Sequence, residues 1–224
     1  SPLVRLQVTV ELENGSTTPD LAQIEKKLID AARGWDDRFL DSTMAIYGYE
    51  RGTELRTRYA HAFPEIYRSS VSPARAASDL ALLEGIQGER PIAMTLHGVE
   101  GRNNALQLRL FHRDTPLALS DVLPRLENMG LRIISEVPYA ITPKTGAPAW
   151  ISELLAESRD GSAIDIAKIN GVFVEAFYRQ WDGDLEDDRF NQLTLHLGLN
   201  WREVSMLRAY AKYLRQIGFA QTQA

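Results

Sequence analysis

ALQLRLFHRDTPLALSDVLPRLENMGLRIISEV, residues 105–137, is the stretch that decides the fold. Leu106, Leu108 and Leu110 alternate with Gln107 and Arg109, and a period of two sends the apolar set to one face of a strand. Ser120 offers a helix cap. Val122, Leu123, Leu126 and Met129 then recur at helical spacing until Gly130 stops the helix. Leu131–Val137, rich in Ile and Val, is strand-like again, and Pro138 ends it.

Downstream, Trp150–Glu157 gives one more strand with weak alternation. Residues 163–181 read as a helix whose buried stripe is Ala167, Val172, Phe173, Ala176, Phe177 and Trp181. Strand, helix, strand, strand, helix is most of a split β-α-β module of the ferredoxin-like kind. No pairing strand follows Trp181, so either it is missing or the upstream strand Ile92–Leu96 supplies it. The class predicted is α+β, a ferredoxin-like βαββα module flanked by helical segments.

Three parts follow: a strand plus helical arm at 1–90, the α/β module at 91–181 and a helical segment at 182–224. In the arm, Val4, Leu6, Val8, Val10 and Leu12 alternate as a strand, and Thr18-Pro19-Asp20 opens a helix. Gly34 marks a break, with helix resuming over 40–49 and 54–63. Ser72-Pro73 starts a helix carrying Ala76, Leu80, Leu83 and Ile86 inward. At the far end, Asn200 and Glu203 form a capping box, with Val204, Leu207, Ala211, Leu214 and Ile217 as the buried stripe. A strand entered within three residues and a capped helix close to the last residue read as borders inside a longer protein.

Composition narrows the function. With 44% hydrophobic and 25% charged residues the chain suits a globular protein, and no apolar run reaches the ~18 residues of a membrane span. The absence of cysteine excludes disulfides, thiolate metal sites and cysteine nucleophiles, and suits the cytoplasm. A net charge of −5 disfavours a phosphate backbone as partner.

Chemical motifs are missing. No GxGxxG or Walker A occurs, and Gly98-Val99-Glu100-Gly101 leads into a strand rather than a helix, so it reads as a hairpin turn. His61, His97, His112 and His196 have no metal-ligand spacing, although His97 and His112 lie in neighbouring strand segments and are able to approach. The acidic run 182–188 fails the EF-hand pattern, with Asp187 where glycine is required, and reads as a solvated linker. Arg208, Lys212 and Arg215 share a helix face, read as solvated or as a docking surface. These absences leave catalytic, cofactor-binding and metal residues unassigned.

Six separated blocks carry a resemblance: RGWDDRFL (33–40), YAHAFPEIYRS (59–69), VSPARAASDLALL (71–83), LSDVLPRLENMGLRIISEVP (119–138), FNQLTLHLGLNWR (190–202) and LRAYAKYLRQIG (207–218). In this order they resemble the large bacterial NAD-dependent glutamate dehydrogenases, in the region preceding the catalytic part. The resemblance implies an ACT-like module and a non-catalytic, regulatory or structural role, inactive in isolation. NAD, and the interconversion of L-glutamate with 2-oxoglutarate and ammonia, belong to the parent, with the parent's remaining domains and like subunits as partners.

ACT modules often hold an amino-acid effector at a glycine-bearing turn after the first strand. The matching turn is 112–120, with Arg113, Asp114, Thr115 and Ser120 as candidate effector or interface residues. It has no glycine, so its amides are less free to cradle a carboxylate, and a packing role is favoured. The alternatives are an independent ACT-type amino-acid sensor and an RNA-binding ferredoxin-like module. The second is disfavoured because the strands carry leucines rather than aromatic pairs.

Overall fold

Leu106, Leu108 and Leu110 do share one face, and they sit at the centre of a four-stranded antiparallel sheet. The structure is a computed structural model, which describes residues 33–86 and 92–219 and the helical position Ile24. The strand expected at 4–12 and the helix opening at Thr18 lie outside the described residues.

The strands are β1 (Ile92–Val99), β2 (Arg102–Arg113), β3 (Leu131–Ile141) and β4 (Ala149–Ser158), in spatial order β1-β2-β4-β3. β2 and β3 flank β4 and run parallel to each other, joined across it by a helix. That is the split β-α-β unit. Strand β1 pairs with β2 from Ile92↔His112 to Gly98↔Leu106, so the upstream strand fills the fourth place. Of the two alternatives left open by the sequence, this is the one the chain adopts.

The leucine face packs under two helices, which the chain reaches after β2 and β4. Val122, Leu126 and Met129 come from one, Ile169, Phe173, Ala176 and Phe177 from the other. The first spans Leu119–Asn128 and the second Ile166–Trp181, started by Asp165, whose carboxylate accepts from Lys168 N. Ser120 does not cap the first. Ala118 holds that place without a side-chain bond, and Ser120 lies inside the opening turn.

The other sheet face is covered too. Helix α1 (Trp35–Tyr59), α2 (Glu65–Ser70) and α3 (Pro73–Gly85) lie across it. The two module helices are therefore α4 (Leu119–Asn128) and α5 (Ile166–Trp181). Gly34 stands just before α1, and the interruption inside that helix falls at Gly48, whose φ of 76° with ψ of 178° is a combination open essentially to glycine. Phe111, Tyr139, Ile141 and Ile151 of the sheet meet Phe39, Tyr59, Phe63, Tyr67, Leu80 and Leu83 of the arm. Aromatic rings stack along this seam, Phe63 on Tyr67 at 4.8 Å and Tyr67 edge-on to Tyr139 at 5.1 Å. Burial on both faces accounts for the weak alternation of β4: Leu154 and Ala156 serve one core, Ala149 and Ile151 the other.

Residues 182–219 return onto the module. A 3₁₀ turn (Arg189–Asn191) leads to α6 (Gln192–Leu197) and α7 (Trp201–Gln216). The capping box at Asn200 and Glu203 is formed in both directions. The stripe expected below it is not buried. Val204 is enclosed, whereas Leu207, Leu214 and Ile217 are 39%, 39% and 58% exposed. Helix α7 is anchored by Val204 and Arg208 and then runs clear of the module.

The acidic run stays largely exposed, as its composition predicts, but Glu186 and Asp188 are tied to α7. Arg208 Nε donates to Asp188 at 2.7 Å and its Nη2 to Asn191 Oδ1 at 2.7 Å, while Lys212 Nζ meets Glu186 at 2.7 Å. Of the three basic residues read as one solvated face, Arg208 is thus buried and paired. Spacing recorded a shared face but not the carboxylates some 20 residues upstream.

Candidate functional site

The turn after β2 is the first place to look. Arg113 turns inward and its Nη2 donates to Leu83 O at 2.8 Å, tying β2 to the arm. Asp114 takes φ of 72°, the left-handed conformation expected of glycine, and its amide donates to Pro148 O at 3.2 Å. Thr115 N donates to Arg113 O at 2.9 Å. Asp114, Thr115 and Ser120 are exposed. Ser120 Oγ reaches only its neighbour Asp121, at 3.4 Å. The four side chains do not converge: one is committed to the arm and three face outward. Asp114 supplies the backbone freedom that the sequence withheld.

A second cluster was not anticipated. Arg109, 1% exposed, lies on the arm-facing side of β2. Its Nη1 donates to Asp79 Oδ1 of α3 at 2.8 Å, and Tyr67 of α2 donates its hydroxyl to Asp79 Oδ2 at 2.6 Å. Arg109 Nε lies 3.2 Å from Glu153 Oε2 of β4, and Gln107 Nε2 donates to Glu153 Oε1 at 2.8 Å. The guanidinium carbon is 5.4 Å from the Phe111 ring centroid. Burial works against charge on Arg109, but Asp79 and Tyr67 outweigh it and hold its pKa above the ordinary value. Burial, then the Asp79 charge, pushes the Tyr67 hydroxyl well up, so it stays a donor. One signal was available in the sequence: Asp79 sits in the inward stripe of α3 beside Ala76, Leu80 and Leu83, where a carboxylate needs a partner.

The histidines do not assemble. His97 pairs with Gln107 and His112 with Ile92, at opposite ends of the β1–β2 ladder. His112 lies flat against Trp150 with ring centroids 6.5 Å apart, and burial lowers its pKa. Ser158 and Ser162 donate to Asp160, lowering its pKa, and His196 lies 3.7 Å from the same carboxylate. Among the described residues there is no group of three metal-ligating side chains, and no helix is long and apolar enough to cross a membrane.

These features define a class: an ACT-like α+β module with both sheet faces enclosed by its own helical flanks, and a buried polar network that joins the arm to the sheet. Comparison with known families agrees part by part. Residues 44–86 match the glutamate dehydrogenase helical motif 2, residues 91–169 the glutamate dehydrogenase ACT3 domain, and residues 185–224 the glutamate dehydrogenase helical motif 3. The chain is 37% identical over 225 residues, its whole length, to the NAD-specific glutamate dehydrogenase of Halomonas elongata. It is 37% identical over 220 residues (97% of the chain) to that of Pseudomonas aeruginosa, and 32% over 207 residues (90%) to that of Mycobacterium tuberculosis. It spans 14%, 14% and 12% of those relatives' lengths.

The chain belongs to the NAD-specific glutamate dehydrogenase family, and it corresponds to that family's ACT3 domain with the adjoining helical motifs 2 and 3.

Proposed function

We propose that this segment serves as a structural and regulatory brace in a parent enzyme that interconverts L-glutamate with 2-oxoglutarate and ammonia using NAD, in the cytoplasm. One observation carries the reading. Tyr67, Asp79, Arg109 and Glu153 join α2, α3, β2 and β4 in a single buried network, so arm and module move together. A rigid joint of this kind transmits position, not chemistry.

The functional units proposed are 1–90, 91–181 and 182–224, in line with the three family matches. The parent's other domains and like subunits are the proposed partners. The exposed Met206, Tyr210 and Tyr213 of α7, Ile217 at its C-cap and the outward turn residues Asp114, Thr115 and Ser120 are proposed as contact points. An interface is favoured at that turn because Arg113 is already spent on Leu83. The RNA-binding alternative is disfavoured by the arm lying across the sheet face such modules use.

The test is direct. The purified chain, supplied with NAD and L-glutamate, is expected to form no NADH. NADH formation by these residues alone would overturn the reading.

A further inference from the structure

Helix α7 (Trp201–Gln216) is docked along one side only. Val204 is enclosed, Arg208 is held by Asp188 and Asn191, and Lys212 reaches Glu186. With about 3.6 residues per turn, the side opposite Arg208 carries Met206, Tyr210, Tyr213 and Ile217, each more than half exposed. Their spacing of four, three and four residues is that of a coiled-coil seam. Leu207 and Leu214 widen the seam on one flank, and Phe219 prolongs it. Among the described residues nothing covers it.

The size of the seam calls for a partner. Its side chains leave open roughly 700 Å², close to the ~800 Å² that each side gives to a stable complex. The largest apolar patch on a typical monomer is smaller, roughly 300–600 Å².

The charges and the spacing then select which partner. Between residues 206 and 217 every charge on the helix, Arg208, Lys212 and Arg215, lies on the Arg208 side. The seam offers a charged surface nothing to read, and it holds nothing that would repel its own copy. The order 206, 210, 213, 217 is also the same from either end, as an isologous interface requires. About a two-fold axis between Tyr210 and Tyr213, Met206 meets Ile217 of the partner subunit, and Tyr210 meets Tyr213 of the partner subunit. Leu214 then falls opposite the small Ala209 of the partner subunit. The helices run antiparallel, so their dipoles oppose favourably. Tyrosine at the two central places suits an interface, where the ring is covered and the hydroxyl reaches the wet rim.

We propose that α7 is a self-pairing surface, covered by the antiparallel α7 of a second copy of this chain. Its use in the parent rests on the reading of α7 as a contact surface above, but pairing of the chain itself does not.

Sedimentation velocity of the full chain over a hundredfold range of concentration is expected to show passage from monomer to dimer. Tyr213→Glu should raise the dissociation constant at least tenfold, and Tyr213→Phe should leave it within twofold. Tyr213 is exposed, so neither change is expected to disturb the fold, and an unchanged circular dichroism spectrum checks this. The chain has no cysteine, so introduced ones report the register. On air oxidation, a mixture of Met206→Cys and Ile217→Cys chains should join one to the other, while Met206→Cys alone should join to itself at least tenfold less. Three results overturn the proposal: a monomer at every concentration, which would leave the seam to another domain of the parent; a dimer that survives Tyr213→Glu; or Met206→Cys joining to itself as readily as to Ile217→Cys. None of these touches the NADH test, and NADH formation there leaves the dimer untouched.

Discussion

Asp79→Ala is the sharpest test of the joint between arm and sheet. The substitution removes the acceptor of two bonds, from Arg109 Nη1 at 2.8 Å and Tyr67 OH at 2.6 Å. Arg109 is 1% exposed and cannot reach water, and Glu153, at 3.2 Å from Nε, is then its remaining counter-charge. Removing one partner of a buried ion pair costs roughly 3–5 kcal/mol, most of it from the stranded charge. With a urea slope of roughly 2–3 kcal/mol/M, the unfolding midpoint should fall by about 1–2.5 M. Tyr67→Phe strands no charge and removes one bond to a carboxylate, so about 1.5–3 kcal/mol is expected. The double variant should lose less than the sum, because both changes delete the same bond. Replacing the pair together, Asp79→Leu with Arg109→Met, should recover most of the loss. Fluorescence of Trp35, whose indole donates to Val71 O at 2.9 Å, reports the arm, while far-ultraviolet circular dichroism reports the whole. A midpoint shift under about 0.3 M for Asp79→Ala would refute the reasoning, since it would mean that Arg109 finds solvent and the joint is not desolvated.

Three further outcomes are expected. His112 has a lowered pKa in the fold, so the unfolded chain takes up its proton first. Stability should therefore be unaffected well above pH 6.5 and fall as pH drops below it, by at most about 1.4 kcal/mol per pH unit; His112→Phe should shrink the difference between urea midpoints at pH 7.5 and 5.5. Gly130, at φ of 92° between α4 and β3, would place a Cβ 3.2 Å from Gln192, Leu195 and His196, so Gly130→Ala should cost roughly 1–3 kcal/mol and lower the melting temperature by several degrees. Arg208→Met should release α7 from the 182–191 segment, seen as faster amide exchange over 201–216 with β2 and β4 unaffected.

The split β-α-β core was legible because its leucines obey the simplest rule available, and the rule was enforced by a helix layer on one side. The opposite face was not legible for a definite reason. Gln107 and Arg109 alternate with those leucines, and polar residues in a strand ordinarily face water. Here they face an arm whose Asp79 lies 30 residues upstream. Alternation records the chemical class of a residue and not whether a distant complement waits for it. The same blindness produced the error at the C-terminal end. The apolar spacing of Leu207, Leu214 and Ile217 predicts a buried stripe, but nothing within the described residues covers it, while Arg208, polar by class, is 4% exposed among carboxylates.

Both surprises have one physical form, and it bears on function. An arginine is sunk in each case: Arg109 of β2 is met by Asp79 of the arm, and Arg208 of α7 by Asp188 within the same C-terminal flank. Apolar seams of this size tolerate sliding and repacking, because hydrophobic attraction has no direction. A desolvated ion pair does not slide: displacing it strands a charge, so it fixes register at the expense of stability. A segment meant only to be stable would fill these places with leucine. Fixing the arm at a set angle to the sheet is what a brace between moving parts requires, and it is why Asp79→Leu with Arg109→Met, though expected to restore stability, is expected not to restore any regulation the parent exerts through this joint.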